Sequence, residues 1–136
     1  MHPTIVKHGK ARVFMEEYYL VCEDSLEGIF TGIYDAYLKK KPHEQIHICV
    51  GEEENYRLFA IYETCYPDEK KTASVAGTII REFGREAYLS ICRALCSGDP
   101  DKGEAVYKAV VAGFSMKNKK ELMGNLSNPY IHRVFE

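Results

Sequence analysis

The chain has 136 residues, of which 46% are hydrophobic. That is enough for one domain with a core of its own and too few for two ordinary domains. Its 18 basic and 20 acidic residues leave a formal net charge of -2, which excludes a global positive field and confines any nucleic-acid contact to a local patch.

Residues 1–17 read as a leader of uncertain order, although Ile5-Val6 and Arg12-Val-Phe-Met15 could each add a short strand. Residues 18–136 read as a single α+β domain. It opens on an apolar strand at 18–22. Asp24 follows as a candidate cap with Glu27 at the capping-box position, and Ile29, Phe30, Ile33, Tyr34 and Tyr37 then recur at helical spacing over 25–40. Lys39, Lys40 and Lys41 suit the negative end of that helix. Residues 45–50 alternate Ile46, Ile48 and Val50 against His47 and Cys49, which predicts a second strand. After the polar turn at 51–55, residues 56–65 alternate again as a third. So short a turn predicts an antiparallel hairpin between strands two and three, with the first strand reaching them through its crossover helix.

The remainder predicts a cluster of helices. Pro67 and Asp68 open one on Thr72, Val75, Ala76, Ile79, Ile80 and Phe83, and Gly84 ends or bends it. A second covers 85–97, burying Ala87 or Tyr88, Ile91, Ala94 and Leu95. In Gly98-Asp99-Pro100, Gly stops that helix, Asp caps the next and Pro takes its first position. The third helix runs to about Met116, and Asn128-Pro129 caps a last segment carrying Ile131, Val134 and Phe135. Gly28, Gly32, Gly77 and Gly113 sit inside helical patterns, where each costs about 1 kcal/mol against Ala, so close packing is expected there.

Chemistry is thinly marked. Glu23, Asp24 and Glu27 gather where the first strand meets its helix, a place where α/β proteins bind ligands. Capping and the helix dipole explain them at less cost. The five cysteines (Cys22, Cys49, Cys65, Cys92 and Cys96) form no CxxC and no close Cys/His metal spacing, and neither a signal peptide nor a membrane-length apolar run is visible. The expectation is a reduced, cytoplasmic protein with buried thiols, no membrane partner, no metal and no cofactor. Cys92 and Cys96 share a helix face but lack further ligands, so they read as buried apolar residues. His47 and Cys49 share the strand face opposite Ile46 and Ile48, and a Cys/His nucleophile pair there is discounted in the same way. Lys117, Lys119, Lys120 and Arg133 form the candidate nucleic-acid contact, several phosphate donors at one end of the chain.

Several landmarks occur together in a fixed order. They are Tyr19-Leu-Val-Cys-Glu-Asp-Ser25 with Gly28-Ile-Phe-Thr31 and Ile33-Tyr-Asp-Ala36, then Asp68-Glu-Lys-Lys71, then Leu95 with Ser97-Gly-Asp-Pro100. Gly113-Phe114 and Leu126-Ser-Asn-Pro129 with Val134-Phe135 follow. As a set they resemble the bacterial domain-of-unknown-function family of probable DNA metabolism proteins, over nearly everything after Glu17. The resemblance implies a role in DNA repair or modification, inferred for that family from its association with radical SAM and uracil-DNA-glycosylase-like proteins.

Two departures accompany it. Family members begin almost at the first strand, and they usually continue into a segment rich in Arg, His, Glu and aromatic residues to which nothing here corresponds. The chain is therefore expected to lack that continuation. The resulting expectation is an accessory module that docks a DNA-repair radical SAM protein or binds DNA. The alternative is an enzyme acting on a nucleobase or nucleotide through Glu23, Asp24 and Glu27. Ile131, Val134 and Phe135 lie on one face of a helix too short to stand alone, so a homo-oligomer through residues 128–136 is also expected.

Overall fold

The computed structural model describes residues 4–8, 11–51, 57–125 and 127–135, with 4–8 and 11–15 described by their backbone only. Thr4–His8 (β1) and Ala11–Met15 (β2) pair antiparallel, so the leader supplies both short strands that its sequence allows. Glu17–Cys22 (β3) then begins a separate three-stranded sheet with Ile46–Val50 (β4) and Ala60–Cys65 (β5) in the order β4-β3-β5. Both neighbours run parallel to β3, with Tyr18 opposite Ile46 and Ile61, and Cys22 opposite Val50 and Cys65.

This corrects the expected hairpin. β4 and β5 flank the first strand on opposite edges and do not pair with each other. The physical reason is burial. All of Glu17 to Leu20 are buried, and so is Cys22, whereas β5 leaves Ile61, Glu63 and Thr64 exposed. A strand apolar on both faces belongs in the middle of a parallel sheet, and one with a wet face belongs at an edge. Phe59 turns the chain into β5 in the left-handed region at φ 63°. The expected turn at 51–55, apart from Gly51, and Tyr56 of the expected third strand lie outside the described residues.

Leu26–Leu38 (α1) covers one face of this sheet with Ile29, Phe30, Ile33 and Ala36. Gly32 permits the approach, because a Cβ there would collide with the Cys22 sulfur and lie 3.3 Å from Ile48 Cδ1. Glu69–Phe83 (α2) packs on α1, and its N-cap Asp68 accepts from Lys71 N at 2.9 Å. Gly84, at φ 99°, closes α2 and admits Arg85–Leu95 (α3). Lys102–Phe114 (α4) packs against β4 and α3. A 3-10 turn at Lys119–Gly124 leads to Pro129–Phe135 (α5), capped by Asn128 Oδ1 on Tyr130 N and Ile131 N. One core runs through all these helices and the sheet, and the class is α+β.

Some local expectations change. The cap of α4 is Asp101, two residues later than expected, because Asp99 uses its carboxylate to accept the Asp101 amide at 2.9 Å. Gly77 is exposed and meets nothing within 4 Å among the described residues, so close packing does not explain it. Of the five thiols, Cys22 and Cys65 are buried, Cys49 and Cys92 are half-buried and Cys96 is exposed. No helix among the described residues is long and apolar enough to cross a membrane.

Candidate functional site

The acidic residues at the β3–α1 junction are exposed and serve the local structure. Ser25, extended at φ -159°, caps α1 by accepting from Gly28 N at 2.9 Å. Asp24 is thereby displaced from the cap it was expected to form, and its carboxylate instead meets Lys102 Nζ at 2.7 Å. That lysine is almost wholly buried and also donates to Ser97 O at 2.8 Å. Glu27 lies in the first turn of α1, where negative charge offsets the helix dipole. Glu23, Asp24 and Glu27 are thus neighbours in sequence, and none of them lines either cavity described below.

The four basic candidates divide. Lys117 is exposed and Lys119 half-buried. Lys120 donates to Arg81 O, a carbonyl near the C-terminal end of α2, at 2.8 Å. Arg133 binds Asp99 Oδ2 through Nε at 3.0 Å and Nη2 at 2.5 Å, with Asp101 at 3.8 Å. The Asp101 amide, followed by Arg133, holds the Asp99 carboxyl below its ordinary pKa, and Asp99 raises that of Arg133 in return.

A denser polar cluster forms where α4 lies along the outer edge of β4. Glu104 Oε1 accepts the Ile48 amide at 3.0 Å, and Lys108, one turn on, donates to Ile46 O at 2.8 Å and to His43 O. Two helix side chains therefore serve the edge groups of β4 as a further strand would. Glu104 Oε2 also meets His47 Nδ1 at 2.7 Å. His47 Nε2 is buried and has no hydrogen-bond partner among the described residues; its nearest charged neighbour is Glu17 Oε2 at 3.5 Å.

On the same sheet face the His47 ring stacks on Tyr19 at 4.8 Å, and Tyr19 on Tyr62 at 5.0 Å. Tyr19 donates to Glu17 at 3.0 Å and receives the Arg57 guanidinium. Burial, opposed by Arg57 and aided by Glu17, pushes the Tyr19 phenol up to about 12.

A cavity of about 310 Å³ opens beside this cluster, lined among others by His43, Glu44, His47 and Tyr130. His43 Nδ1 lies 2.5 Å from the Tyr107 hydroxyl. Burial and then the Lys108 charge lower the His43 pKa, and burial likewise lowers that of Lys108. His47, although it lines this cavity, has its Nε2 buried beside the Glu17 carboxylate. No three His, Cys, Asp or Glu residues among those described are grouped to hold a metal ion.

The sequence placed His47 on the correct strand face but gave no sign of its partners. Glu104 and Lys108 carry no mark in the sequence beyond their i, i+4 spacing, and Glu17 reads as the last residue of the leader. That spacing was the one available signal. Compared with family models, with curated proteins and with solved structures, the chain matches none.

Proposed function

We propose that the chain is a cytoplasmic, non-catalytic accessory module in DNA repair or modification, which docks a radical SAM enzyme and helps to hold nucleic acid. The sequence resemblance supplies the context. The observation that carries the non-catalytic part is the use made of the β3–α1 junction: Ser25 caps α1 and Asp24 pairs with the buried Lys102. A nucleobase-directed site built on Glu23, Asp24 and Glu27 would need a carboxylate poised over a cavity, and this junction supplies charge balance and capping instead.

Replacing those three residues by Gln, Asn and Gln tests the reading. The expected variant loses stability, because Lys102 keeps its burial without its carboxylate, and retains its affinity for the radical SAM partner and for DNA. A variant of unchanged thermal stability that loses binding or turnover of a nucleotide would favour the enzyme.

A further inference from the structure

Between α3, α4 and α5 lies a second cavity, of about 390 Å³. Arg93 from α3, Lys102 from α4 and Arg133 from α5 reach its wall, against one lining carboxylate, Asp99. Three cations on three separate elements converge there although the chain as a whole is acidic. Their existing bonds fix them without exhausting them. Arg93 donates to Ser90 Oγ at 3.0 Å, leaving most of its five N–H groups. Lys102 spends two of three donors on Asp24 and Ser97 O. Arg133 directs Nε and one Nη at Asp99. Val134 and Phe135 add an apolar and aromatic side to the same wall.

We infer that this cavity binds a phosphate monoester carried by a nucleotide, the dianion lying among Arg93, Lys102 and Arg133 and the base against Phe135. A planar guanidinium matches phosphate oxygens bidentately, and an aromatic ring accepts any base by stacking. The volume falls in the range of small-ligand sites, about 300–1,000 Å³. The inference rests on the nucleic-acid part of the reading above and changes its form: the phosphate recognised is terminal or free, and the site is a cavity, not the lysines at 117 and 119. Asp99 competes with the ligand for Arg133, so it sets a ceiling on affinity.

The test is a titration of the intact chain with AMP, adenosine, and one oligonucleotide prepared with a 5′-phosphate or a 5′-hydroxyl. AMP should bind at least tenfold more tightly than adenosine, or the phosphorylated strand at least tenfold more tightly than its hydroxyl form. Whichever preference is larger identifies the source of the phosphate. Arg93→Gln, which removes an exposed side chain and should leave the thermal midpoint in place, should abolish the preference, and Asp99→Asn should strengthen it. Equal binding of phosphorylated and unphosphorylated ligands, or a preference untouched by Arg93→Gln, overturns the site. Association with the radical SAM protein, measured separately, is expected to survive Arg93→Gln. A failed cavity with intact association therefore leaves the accessory reading in place, and the reverse result leaves the cavity.

Discussion

Lys108 shows how one side chain can hold an element in place. Its ammonium joins the carbonyls of His43 and Ile46, at the entry to β4, to a helix that is distant in sequence. Lys108→Met keeps much of the volume and withdraws both donors. It should destabilise the fold by about 1–3 kcal/mol, the cost of leaving part-buried carbonyls unpaired, as read from urea unfolding. His43 gives the residue scale its pH dependence. Burial lowers its folded pKa, so below the unfolded value of about 6.5 the unfolded chain binds the proton more readily. Stability should therefore fall as the pH drops from about 6.5 and level off below the folded pKa. His43→Gln should show a shallower loss between about pH 6.5 and 5, and identical pH profiles for the two proteins would refute this role.

At the scale of elements, Gly32 and Gly77 make a matched pair. Gly32→Ala would drive a methyl group against the Cys22 sulfur and Ile48, forcing α1 off the sheet at a cost of about 1–3 kcal/mol. Gly77→Ala fills open space on α2 and should stabilise by up to about 1 kcal/mol through helix propensity. Thermal melts of the two variants should move in opposite directions.

The same glycines mark what the sequence could tell. Both sit at equivalent places in an apolar helical pattern, and only the facing sheet distinguishes them. Helix positions were legible, because Asp68, Gly84 and Asn128 carry local capping signals. Strand pairing was not. A short polar turn is the mark of a hairpin, and the cue that outweighs it, the two-sided burial of Glu17 to Cys22, depends on what packs against each face. The β4 edge was hidden for a similar reason, since Glu104 and Lys108 acquire their partners only through a contact across more than 50 residues of chain.

On the scale of the whole molecule, α5 packs on α4, α3 and the 3-10 turn, and Ile131 is fully buried in the common core. Val134 and Phe135 are partly buried against it. The apolar face that suggested self-association through residues 128–136 is thus largely covered from within the chain. What remains to engage a partner is the rest of the surface, including the exposed Leu58, Ile61 and Tyr66 around β5. The docking of a radical SAM enzyme proposed above would have to use this remaining surface. Sedimentation velocity of the two proteins, alone and mixed across a concentration series, measures that most directly. A faster boundary containing both proteins is expected, and two boundaries that sediment independently at every concentration would rule the docking out.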